Sequence, residues 1–299
     1  MDYYYLAFGL TMKSDIEIEE FVEIEKCNEL DVEIKLGKVP ESLEHNLEEP
    51  FWYYAKENEL VFTVADIAKY YVHNGNEIII EPLVDAENSA IRVYLLGTAF
   101  GAILFQRGRV PFHGSALSIN NIGVIITGES GAGKSTVTNA LIKKGYNMVT
   151  DDVAALEIDE ENKLKIYPSY PRQKLWIDSV RHMQIDISEI RRMDGTNDKF
   201  YLPVEEFCYH PIELKAIFEL KPMICKQVSV EELIGKERLE VILNNTYRSV
   251  FIEPLGLMKN HFFQCVKMTK MLKVYRLCRP ENEFTIDEQV NSIESVLNY

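Results

Sequence analysis

The chain is short of basic residues, cysteine and tryptophan, and it has no long apolar run. Thirty-two lysines and arginines stand against 47 aspartates and glutamates, a formal net charge of −15. Binding a phosphate backbone requires a basic stripe, so nucleic acid is excluded as a partner. The five cysteines (Cys27, Cys208, Cys225, Cys265 and Cys278) are scattered, odd in number and without C-x-x-C spacing. That argues against a zinc site or a disulfide framework and for reduced thiols in a cytoplasmic setting. Met1-Asp-Tyr-Tyr-Tyr has neither a basic n-region nor an apolar h-region, so no export signal is expected. The most membrane-like run, Ile91 to Phe105, contains Arg92 and is too short to span, so it is read as a buried helix and no membrane partner is expected. Repeats, low-complexity tracts and long Pro/Gly/Ser linkers are absent as well.

What is present is apolar residues: 46% of 299 positions are hydrophobic, enough to bury one large core or two modest ones. The acidity is concentrated. Asp15 to Glu59 holds fifteen acids and four bases, a balance of −11, leaving the remainder near neutral. Such a stretch is either a solvated face or a steering surface for a basic peptide. Asp2 to Met12 and Leu60 to Val64 have strand character, and Asp66 to Tyr71 fits a strand or one helical turn. His73-Asn-Gly-Asn76 before Glu77–Ile80 predicts a hairpin. A helix over about Ser89–Gln106 leads through Arg107-Gly-Arg109 into the rest. Two packed domains are expected, an α+β unit at 1–108 and a catalytic unit at 109–299. In the second, Leu156–Asp159 and Lys163–Tyr167 predict another hairpin. Arg191 to Lys199, polar with Gly195 and Asn197, predicts a mobile loop that closes over a ligand. Val230 to Leu243 and Leu255 to Leu272 are read as helices.

The chemistry lies between His113 and Asp152. Gly128-Glu129-Ser130-Gly131-Ala132-Gly133-Lys134-Ser135 satisfies the P-loop pattern G-x-x-x-x-G-K-[ST] at every position. The β-branched run Ile122–Thr127 before it predicts a buried strand. Val137, Ala140 and Leu141 then recur at helical spacing up to a capping glycine, Gly145. Tyr146 to Thr150 predicts the next strand, parallel to the first by a right-handed crossover. The bare N–H groups of the glycine-rich turn and the helix N-terminus form a nest for phosphate. Lys134 is placed to reach the β- and γ-phosphates and the Ser135 hydroxyl to ligate Mg²⁺; Thr136 completes the loop. Asp151-Asp152 end the second strand, where open α/β sheets bind ligands. One aspartate can hold Mg²⁺ and the other can accept a proton from an attacking hydroxyl. Arg172, Lys174 and Arg248 are candidate cations for the charge that spreads over a transferring phosphoryl group. Trp176, beside them, is read as core.

The stretch from His113 to Asp152 resembles the catalytic core of the HPr kinase/phosphorylase family. The resemblance rests on His113-Gly114, on Ile122-Gly-Val-Ile-Ile-Thr-Gly128, on the P-loop, on Gly145 and on the Asp151-Asp152 pair. It implies an α/β fold with a P-loop sheet core of the HPr-kinase/PEP-carboxykinase-like type, ATP and Mg²⁺ as cofactors, and transfer to a protein serine. It further implies Asp151 as the base with His113 near it, and Asp152 on the metal side. Thr136 stands where the family often has glutamate, and Pro168–Trp176 occupies the place of a family signature it does not match. With Tyr-Pro-Arg-Gln-Lys-Leu-Trp176 and Asn245-Thr-Tyr-Arg248, the chain is also similar to HPr-kinase-like enzymes that phosphorylate a serine at the tail of lasso-peptide precursors. The expected activity is an ATP-dependent serine kinase acting on a peptide or small protein. An HPr-type or small-molecule hydroxyl kinase and a non-catalytic nucleotide-responsive module are the alternatives; homo-oligomerisation is left open.

Overall fold

A computed structural model describes residues 2–44, 52–182, 185–186, 190–192 and 199–298. Its first part is an eight-stranded sheet drawn entirely from Tyr3–Pro82. Several strands alternate along their length: Met12, Ile34, Ile78 and Ile80 are buried while their neighbours are more exposed. Asp2 to Met12 is a hairpin rather than one strand, with Tyr3–Ala7 antiparallel to Leu10–Ser14. The turn falls on Phe8 and Gly9, both at positive φ (56° and 67°). Sequence missed it because Phe8 is not a turn residue. Burial of its ring against Phe100, with centroids 5.5 Å apart, holds it in the left-handed region. Ala68–His73 is a strand, and it pairs with Glu77–Pro82 in the expected hairpin.

A helical run from Asn88 to Gln106 packs across this sheet, interrupted by one π-turn at Leu95–Ala99. By length and composition it could cross a membrane, but 72% of it is buried inside the molecule, as the apolar face of a core helix should be. Arg92 is buried beneath Glu20 and donates to its carboxylate at 2.9 Å. Part of the acidic stretch is therefore consumed internally: Glu20 by Arg92, and Asp31 by Arg107 at 2.7 Å. Residues 45–51 of that stretch lie outside the described residues, as do residues 193–198 of the expected mobile loop.

The second part is a nine-stranded sheet between two helical layers. Along the P-loop strand, Ile122–Gly128, Val124 and Ile126 enter one core and Ile125 the opposite one. Ile217 and Phe218 divide in the same way on the long strand Ile212–Met223. Burial on both faces is why these strands are near-continuous apolar runs. One face is covered by helices Lys134–Lys143 and Ile286–Leu297, the other by Gly235–Asn244 and Met258–Met268. Val230 to Leu243 is not one helix: Ser229–Leu233 forms an edge strand against Lys273–Pro280, and the helix starts at Gly235. The β-branched Val230 and the positive φ of Gly235 (55°) divide what spacing alone had joined.

The P-loop strand and the strand Asn147–Thr150 run parallel, but they are not neighbours. Ser115–Ile119 lies between them, antiparallel to both. The crossover therefore passes over one intervening strand, and both carboxyl ends meet at one edge. The two sheets share a core: Val153, Ala155, Tyr170, Phe251 and Leu255 pack with the Tyr3–Pro82 sheet and its helix.

Candidate active site

The site is built where strands end. Gly128, Gly131 and Gly133 have φ of 136°, 82° and 103°, conformations that side chains resist. A Cβ on Gly128 would lie 2.6 Å from the Leu220 carbonyl oxygen. Helix Lys134–Lys143 begins directly after Gly133, so its free N–H groups point into the loop. The Lys134 ammonium bridges the loop, donating to the carbonyls of Gly128 (2.8 Å) and Glu129 (3.1 Å). Buried Gln173 anchors the helix start by donating to the Ser135 carbonyl at 3.0 Å.

The loop opens into a cavity of about 520 Å³, lined in part by Ser130, Lys134, Ser135, Thr136, Asp151 and Asp152. Asp151 is 5% exposed. It accepts a 2.5 Å hydrogen bond from the Ser115 hydroxyl and a 2.8 Å bond from the Lys174 backbone N–H. Burial raises its pKa above the ordinary aspartate value, and the two donors only partly offset that. Asp152 sits at φ 68°, turning its carboxylate toward His113 and Lys174. Lys174 Nζ donates to it at 2.9 Å, and His113 Nδ1 stands 3.4 Å from its other oxygen. Burial, the largest single influence, would lower the Lys174 pKa, but Asp152 together with Tyr170, Tyr201 and Tyr247 outweighs it, and the ammonium is held well above its usual value.

The sequence-selected residues separate here. His113, Asp151, Asp152 and Lys174 come together with the P-loop. His113, however, rests on Asp152 and not on Asp151, because Asp151 is turned inward to Ser115. Arg172 faces away and donates to the Glu19 carbonyl at 2.8 Å. Arg248 lies outside the cavity wall, stacked on Trp52 and Tyr247. Trp176 is not core: it is 45% exposed and lines the cavity, since Lys174 and Trp176 share one face of the strand Arg172–Trp176. Gly128, Glu129 and Ala132 shape the loop backbone rather than the wall.

Two contributions went unseen in the sequence. Arg279, at the end of the strand Lys273–Pro280, donates to the Ala132 carbonyl at 3.0 Å and brings a guanidinium to the cavity. Phe284, Thr285 and Gln289 close the far side. Asn245–Arg248 also finds its place. Thr246 bridges to Phe112, and the Asn245 carbonyl accepts the His113 N–H at 2.7 Å. Thr127 Oγ1 lies 2.7 Å from both the His113 carbonyl and Asn245 Oδ1, tying this segment to the end of the P-loop strand. Tyr247 lies in a slot on the buried helix, where a Cβ on Gly97 would stand 2.8 Å from its hydroxyl. Its ring centroid is 6.2 Å from that of His113.

Residues 107–191 match the HPr Serine kinase C-terminal domain family. HPr kinase/phosphorylase of Chlorobaculum tepidum is 42% identical over 52 residues, 17% of this chain and 15% of that protein. The Clostridium botulinum (strain Eklund 17B) protein of the same name is 38% identical over 83 residues, 28% of this chain and 26% of that one. The chain thus matches about a quarter or less of the length of these relatives. The solved Hpr(Ser) kinase/phosphatase from Coxiella burnetii aligns with a TM-score of 0.32 at 16% identity, over 63% of this chain and 90% of that one. The matched segment, residues 107–191, is the one that carries the P-loop and the paired aspartates, and over it the chain is similar to the HPr Serine kinase C-terminal domain.

Proposed function

We propose that the protein is an ATP-dependent kinase that transfers the γ-phosphoryl group to a serine hydroxyl of a peptide or small protein. The observation that carries this reading is the juxtaposition of a complete phosphate nest with a buried, proton-hungry carboxylate at one cavity. A switch that only binds nucleotide needs the first; phosphoryl transfer to an attacking O–H also uses the second. The P-loop amides and Lys134 hold the triphosphate, and Lys174 and Arg279 supply positive charge beside it. Asp151, whose charged form is disfavoured by burial, takes the proton from the attacking serine as the oxygen–phosphorus bond forms and the β–γ bridge breaks.

Ser135 and Asp152 offer hard oxygen donors, the set Mg²⁺ prefers, and Asp152 already faces a cation in Lys174. The donor chemistry therefore fits the ion, which when bound would neutralise phosphate charge. The His113–Asp152 contact favours a second reading in which Asp152 receives the proton and Asp151 serves the metal side. Residues 1–108 form an α+β domain packed against the catalytic one in this proposal, and a cytoplasmic lasso-peptide precursor is the acceptor we favour. The test is to incubate the protein with Mg·ATP and a candidate precursor peptide, then localise a one-phosphate mass gain by tandem mass spectrometry. Gain on serine supports the reading. Phosphorylation of free serine alone, or equal activity on HPr, removes the peptide acceptor, and nucleotide binding without transfer to any hydroxyl removes the kinase.

A further inference from the structure

Arg248 differs from most of the described arginines. Arg92, Arg107, Arg109, Arg238 and Arg276 each pair with a carboxylate. Arg172 and Arg279 donate to backbone carbonyls. Arg248 has no carboxylate or carbonyl partner among the described residues, although its Nε is buried and unbonded. Its guanidinium carbon lies 5.5 Å from the Trp52 ring centroid and 5.6 Å from that of Tyr247. Its backbone is in the left-handed region, φ 51°, a conformation arginine rarely adopts. Such strain gathers at functional sites. A guanidinium never loses its charge, and its rigid fork matches a carboxylate. Here one is placed beside the Tyr247 hydroxyl and two aromatic rings, with no carboxylate among the described residues to engage its fork, in a chain of net charge −15.

The location defines what it meets. The Tyr247 ring lies 5.6 Å from the Arg248 guanidinium carbon and 6.2 Å from the His113 ring. Arg248 is thus two ring contacts from His113, which itself rests on Asp152, and it lies outside the wall of the phosphate cavity. Trp52 and Val250 beside it are 41% and 54% exposed. The two ring separations bound its distance from the His113 imidazole at about 12 Å, the reach of three to four extended residues.

We infer that Arg248, seated on Trp52 and Tyr247, is an anchor for a carboxylate of the acceptor peptide within about four residues of the phosphorylated serine. The inference rests on the kinase reading for the meaning of the site but not for its test. The carboxylate is either an acidic side chain or the peptide's own terminus. Four fluorescein-labelled decapeptide pools separate these, each with one serine and randomised flanks. One ends in a free carboxylate four residues after the serine; the second is its amide. The third and fourth are amides with glutamate or glutamine at that position.

Binding is read by anisotropy without ATP, and transfer is read with it. The free acid, the glutamate pool or both should bind wild-type protein roughly ten- to a hundredfold tighter than the neutral pools. Acid alone identifies a terminus, and both identify any carboxylate. In Arg248→Gln the preference should vanish with the KM for ATP unchanged, and Arg248→Lys, which keeps charge without the fork, should retain part of it. Thermal unfolding of each variant confirms the fold. Equal binding of all pools by wild type, or a preference that survives in a folded Arg248→Gln, overturns the inference. Preferential binding without phosphoryl transfer sinks the kinase reading and leaves the anchor standing.

Discussion

Replacing Asp151 with asparagine should make the protein much slower and, near neutral pH, no less stable. The structure fixes how the amide must sit. The Lys174 backbone N–H can only donate, so the asparagine oxygen takes that 2.8 Å bond and the NH₂ turns to Ser115, whose hydroxyl can accept. Both hydrogen bonds survive, and a buried charge is removed. The sign of the pH effect follows from the raised pKa. In the wild type, stability is full below the unfolded aspartate value of 3.8 and is lost as pH rises through the higher folded value. The asparagine variant lacks that loss, so its stability relative to wild type should climb with pH above about 4 and then level off. Activity moves oppositely. A general base contributes about 10²- to 10⁴-fold, equivalent to about 3–5 kcal/mol of barrier. Single-turnover transfer at saturating Mg·ATP and urea unfolding between pH 4 and 8 measure the two effects. Single-turnover rates within about tenfold of wild type would remove Asp151 as the base. A variant less stable than wild type at pH 7 would refute the claim that burial disfavours its charge.

Lys134→Ala should abolish detectable ATP binding while far-UV circular dichroism stays native, because the ammonium's contacts to the Gly128 and Glu129 carbonyls lie within the loop and not in the core; wild-type affinity would remove the loop from nucleotide binding. Asp152→Asn should raise the Mg²⁺ concentration needed for half-maximal rate before it lowers the rate itself. A magnesium titration showing the reverse order exchanges the two aspartates. Gly97→Ala drives a methyl toward the Tyr247 hydroxyl, 2.8 Å from the ideal Cβ position. It should cost about 1–3 kcal/mol in urea unfolding and reduce transfer without altering the KM for ATP. His261 is buried, 2.9 Å from the Thr246 hydroxyl, and burial lowers its pKa below 6.5. Its stability contribution is present above 6.5 and is lost as pH falls through the folded value, so His261→Gln should flatten the acid side of the stability profile.

Much of the site was legible because its chemistry is local. The P-loop, Gly145 and Asp151-Asp152 lie within one strand–helix–strand stretch; Gly145 ends the returning helix at the far edge, and the spacing brings the P-loop and the aspartates to a common edge. Lys174 was reachable for a similar reason, since its strand follows closely. Arg172 shares its strand face but reaches toward Glu19, and only the packed N-terminal part decides that. Trp176 was misplaced because an aromatic ring suits a core and a cavity wall equally; the alternation from buried Leu175 decides between them. The turn at Phe8 and the strand Ser229–Leu233 were lost because tertiary burial and edge pairing, not residue propensity, set them. The partner of His113 could not be read either, because two consecutive aspartates point opposite ways and sequence does not say which turns inward.

Arg279 reaches the phosphate nest by a route that no spacing rule contains. Gly128 is level with Leu220 on the long strand, and Leu220 is level with Leu277 on the next. The hydrogen-bond ladder thus acts as a ruler that sets the guanidinium two residues past the start of the loop, although 151 positions separate Gly128 from Arg279 along the chain. Deleting the single residue between Leu277 and Arg279, Cys278, would leave every motif intact. It would nonetheless swing the cation to the opposite face of the sheet, because side chains alternate with each step. In this architecture, indel tolerance at strand ends far from the motif becomes a direct gauge of how much the reaction depends on that charge.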